Sequence, residues 1–373
     1  MMALTMALVG ETVPKEKTGS AMGLLGAMSA VGTALGPSLG GILIAAFGWR
    51  AIFLVNLPLG VVTLALAGRT LPADRAIAKA NRVGFDATGT LLLALTLAAY
   101  ALAMTIGRGR FGPLNIALLS AAVLGVGLFV RAQRRTASPL LRLAMFRDPV
   151  LSASLLVGAL VATVMMATLV VGPFYLSGAL GLDPAVVGLV VAVGPLVVAL
   201  AGVPAGRMTD RFGGQRMAIV GLAGIAAGSL MLAAMPTTFG IPGYVAPLVV
   251  VTAGYALFQT ANNTDVMTDV ARDQRGVVSG MLNLSRNLGL VTGASVMGAV
   301  FAHASGTVDV ATAPPEAVAI GMRITFATAA VLMIAALVIA LASRALALRS
   351  SPRRPRLPPL QRATSTGNSS MSK

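Results

Sequence analysis

The sequence predicts an all-α integral membrane protein with about ten complete transmembrane helices, and three observations carry that expectation. Ten stretches are apolar over the length of a bilayer core, the basic residues fall almost entirely on alternate loops, and one glycine-rich stretch recurs 257 positions further on.

Composition sets the frame. Of the 373 residues 56% are hydrophobic and only 11% charged, where a soluble domain carries about 25%, and mean hydropathy is +0.86. So few charges cannot cover a water-facing surface. The chain has no cysteine, which excludes disulfides, thiolate metal sites and cysteine nucleophiles. A single histidine, His303, cannot form a histidine metal cluster. No G-x-x-x-x-G-K-[ST] string is present, so ATP has no phosphate loop to bind.

Crossing a bilayer takes about 20 mostly apolar residues. The qualifying stretches run over 21–47, 51–68, 87–107, 114–130, 149–178, 184–206, 217–235, 244–264, 277–303 and 324–343. The second and fourth need flanking residues to complete a span. The uncharged run 217–264 is too long for one helix, and Pro236, Gly240, Pro242 and Gly243 break it into a hairpin.

Charge placement orients the spans. Alternating the loops between two sides puts 23 of the 28 basic residues on one side, including seven in the tail from Arg344 onward. Arg50, Arg108, Arg110 and Arg323 fall on the other, and Arg286 lies within a span. Such a bias marks the cytoplasmic side, so the C-terminus is expected inside, in a bacterial cytoplasmic (inner) membrane. The net charge of +16 is then a matter of orientation and anionic lipid, with no need of nucleic acid. The tail, polybasic and proline-rich, is expected to be disordered.

The internal repeat organises the chain. At an offset of 257, Lys15-Glu16 meets Arg272-Asp273, and Gly19, Gly23, Gly32, Gly36 and Gly41 meet Gly276, Gly280, Gly289, Gly293 and Gly298. Transporters are often built from such repeats, with the substrate site between them. The repeated spans lie eight steps apart where two six-helix halves would give six, so two helices are inserted. The expected divisions are a remnant of an N-terminal half at 1–69, linkers and two inserted helices at 70–148, a six-helix half at 149–345, and a basic tail at 346–373. Met1–Gly10 aligns with the end of the eighth span and reads as the last third of a helix. Three helices and most of a fourth are therefore expected before Met1.

Two strings carry a resemblance. The first span contains G-T-A-L-G-P-S-L-G-G, with Gly32, Gly36 and Gly40 forming a stripe for close backbone approach, Pro37 adding a bend, and Gly41 following. It resembles motif C of major facilitator antiporters, as does the F-G-W-R-A-I-F-L-V-N-L-P-L-G passage after it. The loop after the sixth span, G-R-M-T-D-R-F-G-G-Q-R, contains Gly206, Asp210, Arg211, Gly213 and Arg216 and resembles the second-half copy of motif A. Asp210 suits a helix N-terminus, and Arg211 and Arg216 suit carboxylates or lipid phosphates. With the two inserted helices, the chain resembles the fourteen-helix drug:proton antiporter branch of the major facilitator superfamily. That implies a major facilitator fold, here N-terminally incomplete, with the 206–216 loop as a cytoplasmic gate and the proton-coupling residues lying before Met1. It further implies that the chain, as part of a longer parent protein, exports small drug-like amphipaths, driven by a proton gradient and without a cofactor. The alternatives are a metabolite or sugar facilitator of the same superfamily, or a truncated product that transports nothing.

Polar groups inside a membrane are costly and are functional candidates. Gln259, Asn262 and Asn263 share a face of the eighth span with Tyr255, open either to substrate or to helix–helix hydrogen bonds. The fifth span offers Thr163, Met166, Thr168, Phe174 and Tyr175, equally open to substrate or lipid. In the ninth span Asn283, Arg286 and Asn287 share a face, and a cation that deep needs a partner. Asp265 is the nearest candidate, as a gating or structural pair.

Overall fold

The structure, a computed structural model, describes residues 2–70, 86–106, 112–136, 139–271, 274–306 and 313–350. Among these the secondary structure is entirely helical: α1 (Met2–Thr12), α2 (Thr18–Phe47), α3 (Arg50–Thr70), α4 (Ala87–Thr105), α5 (Pro113–Arg135), α6 (Pro149–Phe174), α7 (Pro184–Phe212), α8 (Gly214–Ala234), α9 (Gly240–Asp269), α10 (Arg275–Ala304) and α11 (Pro315–Ser350). Ten of the eleven are long and apolar enough to cross a membrane, and they coincide with the ten expected spans. Short flanks complete the second and fourth, as α3 and α5. The loop basics Arg75, Lys79, Arg82, Arg108 and Arg110, the Arg272-Asp273 pair and the tail from 351 lie outside the described residues. The tail was expected to begin at 346. Helix α11 instead continues to Ser350, because Ala345–Arg349 are good helix formers and the first proline comes only at 352.

Sequence punctuation explains the helix ends. Prolines at the first positions of α5, α6 and α7 sit where an N–H would be unpaired anyway. The Asp148 carboxylate accepts the Val150 N–H at 2.9 Å. Gly213, at φ 89°, both ends α7 and begins α8, a left-handed turn that a side chain would resist. The α8–α9 break falls at 235–239, and Pro242 and Gly243 are absorbed into the first turn of α9.

The main core is formed by α6, α8, α9, α10 and α11, with Val161, Leu222, Val251, Met297, Phe326 and Met333 fully buried. A smaller cluster, including Met6, Met22, Leu151, Met267 and Val278, joins α1 and α2 to α6, α9 and α10. Helices α4 and α5 form a hairpin stapled at both ends. At one end Asn115 donates to the Ala103 carbonyl at 2.6 Å, and at the other Gln133 donates to Asp86 at 2.6 Å. The hairpin rests on α10, where the Tyr100 and Thr292 hydroxyls meet and Ser295 donates to the Met104 carbonyl.

Glycine governs the closest helix contacts. A Cβ on Gly202 of α7 would lie 2.7 Å from the Gly23 carbonyl oxygen, and one on Gly206 would lie 2.5 Å from that of Gly19. Only glycine permits this α2–α7 approach. The stripe expected to do this, Gly32, Gly36 and Gly40, instead has open space at each Cβ position. Gly32 is 13 residues from Gly19, about 220° around the helix at 3.6 residues per turn, so the two stripes face opposite ways. The repeat partner α10 uses its glycines inversely. Gly276 and Gly280 are open, while Gly289 and Gly293 press on α6, where a Cβ on Gly293 would lie 2.5 Å from the Thr163 carbonyl oxygen. Pro37 and Gly41 lie within α2.

Candidate functional site

Helices α1, α2, α6, α7, α9 and α10 enclose a cavity of about 630 Å³, within the range of small-molecule sites. Most of its wall is apolar, from residues such as Met22, Leu25, Leu169, Val198 and Leu248, with polar groups set among them. Helix α9 supplies the largest share, in a stripe at helical spacing: Tyr244, Leu248, Thr252, Tyr255, Gln259 and Asn263. The Gln259 amide donates to the Asn263 side-chain oxygen at 3.3 Å, and the Tyr244 hydroxyl donates to the Thr168 carbonyl at 3.5 Å.

Of the residues singled out from the sequence, Tyr255, Gln259, Asn263, Thr168 and Arg286 line this cavity. Four others do not. Asn262 turns into a separate hollow of about 40 Å³ between α6, α8, α9 and α11. Thr163 is buried against α10, its hydroxyl donating to the Gly289 carbonyl at 3.0 Å. Met166 faces α10 as well, its Cβ 2.8 Å from where a Gly293 Cβ would be. Tyr175 is buried in the core, 6.0 Å from the Tyr244 ring. The cause is shared: the bare stripe Gly289–Gly293 draws the Thr163–Met166 face of α6 onto α10, leaving Met165, Thr168 and Leu169 for the cavity. Phe174 stacks on Phe301, with centroids 6.0 Å apart.

The expected Asp265–Arg286 pair is also corrected. Asp265 borders the small hollow with Gln215 and Asn262, its Cβ 3.0 Å from the Cβ position of Gly214 at the start of α8. Arg286 lines the large cavity. Helix α9 stands between the two spaces, so each residue belongs to a different one. Asn283 and Asn287 bond to each other, amide to side-chain oxygen at 2.6 Å. Tyr244 is a cavity residue not singled out from the sequence. The signal was present: it lies 11 residues before Tyr255, three turns on one face.

Beyond one end of the cavity the Asp210 carboxylate sits on the N-terminus of α2. It accepts the Gly19 N–H at 2.7 Å and the Ser20 N–H at 2.8 Å, and the Ser20 hydroxyl donates to it as well. These are N–H groups the helix cannot pair internally, and a carboxylate complements the positive end of its dipole. Gly206, one turn earlier, allows the approach. Arg211 and Arg216 are exposed, Arg211 lying 5.2 Å from the Phe212 ring centroid. Near the same end the Arg275 guanidinium donates to the Gly10 carbonyl of α1.

Comparison with known proteins agrees with this arrangement. A Major Facilitator Superfamily model matches residues 1–294. The chain is 30% identical over 298 residues to an uncharacterized transporter, YebQ, of Escherichia coli (strain K12), covering 80% of this chain and 65% of YebQ. It is 31% identical over 312 residues to the multidrug resistance protein Stp of Mycobacterium tuberculosis (strain ATCC 25618 / H37Rv), covering 80% and 55%. It is 25% identical over 303 residues to the riboflavin transporter RibZ of Clostridioides difficile (strain 630), covering 81% and 65%. The chain thus spans 55 to 65% of the length of these relatives. With ten bilayer-length helices, a cavity between them and a family match over residues 1–294, the chain belongs to the Major Facilitator Superfamily.

Proposed function

We propose that the cavity is the substrate site of a secondary transporter that exports drug-like amphipathic compounds at the expense of a proton gradient. The observation that carries this reading is the cavity itself: about 630 Å³, mostly apolar, with tyrosine, glutamine and asparagine groups on α9. Such a wall takes varied apolar bodies and orients them through a few polar contacts. Similarity to the multidrug resistance protein Stp supports the drug-like class. The Asp210 contact then acts as a gate on the cytoplasmic side, holding α2 and α7 together while the cavity opens outward, with residues 149–345 acting as one helical half. A metabolite facilitator is the second reading, supported by the similarity to the riboflavin transporter RibZ.

Proteoliposomes containing the 373-residue chain alone, or joined to the helices expected before Met1, and loaded with fluorescent amphipaths of differing charge, test the proposal. In the joined form an imposed pH gradient is expected to drive movement of at least one dye, and Asp210→Asn to reduce it. Dye movement indifferent to the gradient, for every dye, would refute proton-driven export.

A further inference from the structure

The small hollow of about 40 Å³ lies between α6, α8, α9 and α11, on the other side of α9 from the large cavity. Five polar side chains border it: Ser154 of α6, Gln215 of α8, Asn262 and Asp265 of α9, and Ser343 of α11. Ser154 and Gln215 stand near the starts of their helices, and Asp265 and Ser343 near the ends of theirs. The hollow therefore sits about two turns inside one face of the membrane, the face of the 206–216 loop.

These groups lack partners. Asp210 gives both its oxygens to N–H groups at the α2 N-terminus. Asp265 stands against the first turn of α8, its Oδ1 3.1 Å from the Cβ position of Gly214, yet accepts no hydrogen bond among the described residues. It is the only charged group among the described residues that border the hollow. No basic side chain pairs with it there: α6 carries none, Arg216 of α8 is exposed, and Arg344 of α11 forms no ion pair. Asn262 is only 7% exposed, and its amide also has no hydrogen bond among the described residues. The Ser343 hydroxyl donates to the Ala340 carbonyl at 2.9 Å, which leaves its oxygen lone pairs for the hollow. A carboxylate and an amide buried without partners are costly, so an occupant of complementary charge is called for.

We propose that the hollow binds one small monovalent cation of the sodium type, at a site separate from the substrate cavity. Carboxylate, amide and hydroxyl oxygens are hard donors that suit a hard cation. One carboxylate balances one positive charge, whereas a divalent ion would leave net charge buried. A space of about 40 Å³ holds an ion or a water and excludes an organic substrate. Bound there, the ion ties the ends of α6, α8, α9 and α11 together beside the 206–216 loop.

Equilibrium binding of radiolabelled sodium to the full chain in detergent, with choline as the balancing cation, tests this. A single saturable site is expected in the wild type. Asp265→Asn should weaken it about tenfold or more and Asn262→Ala by less, since affinity follows ligand charge. Asp269→Asn, which changes the exposed acid one turn further along α9, should leave it intact. Sodium should also raise the melting temperature of the wild-type chain above that in choline at equal ionic strength. No saturable binding by the wild type would overturn the cation site and leave water or a protonated Asp265 in the hollow. Binding unchanged by Asp265→Asn, or weakened equally by Asp269→Asn, would overturn it as well. The wild-type measurement needs no variant to fold.

Discussion

Asp210 shows how one side chain joins two distant helices. Its two oxygens take the Gly19 and Ser20 N–H groups at 2.7 and 2.8 Å, across 190 residues of sequence. Hydrogen bonds to a charged acceptor contribute about 1.5–3 kcal/mol, so Asp210→Ala should destabilise the fold by about 2 kcal/mol, read as a lower melting temperature in detergent. Asp210→Asn keeps one acceptor oxygen and should lose less. A second carboxylate, Asp86, caps α4 outside the bilayer span. The Gly89 N–H and the Gln133 amide hold its carboxyl below the usual range. Its contribution is therefore whole above the ordinary carboxylate pKa of about 3.9 and is lost as pH falls through the lowered folded value. Asp86→Asn should cap α4 nearly as well at neutral pH and remove that acid-side loss, measured as melting temperature against pH. Asp210 was legible in the sequence because its G-x-x-x-D-R-x-G loop is a local pattern. Asp265 and Arg286 were not correctly paired, because nearness in sequence says nothing about which side of α9 a group occupies.

At the scale of helices, glycine decides which faces meet. Gly23 and Gly202 are sites where any side chain collides with backbone, whereas Gly36 has open space. Gly23→Leu should cost about 3 kcal/mol or more as overpacking, and Gly36→Leu should be near neutral, both compared by thermal unfolding of the purified chain. Equal losses at the two positions would contradict the assignment of the close face. The ten spans were legible to within a few residues because length and apolarity are properties of a segment. Which face of α2 packs was not, since that helix carries glycine on opposite sides and the sequence repeats both in α10. Helix α6 posed the same difficulty in another form. It is apolar all round, so no periodicity separates the Thr163–Met166 face from the Met165–Thr168 face, and the cavity takes the second.

For the whole molecule, the central claim is that the space between α1, α2, α6, α7, α9 and α10 is a substrate cavity reached from water, while the α6, α8, α9, α10 and α11 core is closed. Gln259 and Ala261 stand two residues apart on α9, the first on the cavity wall and the second fully buried toward α8. The chain contains no cysteine, so a single introduced thiol reports without background. The decisive measurement is the labelling rate of Gln259→Cys and Ala261→Cys by a small membrane-impermeant thiol reagent in sealed proteoliposomes. Gln259→Cys is expected to react from one side of the membrane and to be slowed by a bound amphipath, while Ala261→Cys stays inert. Equal rates at the two positions, or no reaction at Gln259→Cys from either side, would contradict the cavity as the route through this protein.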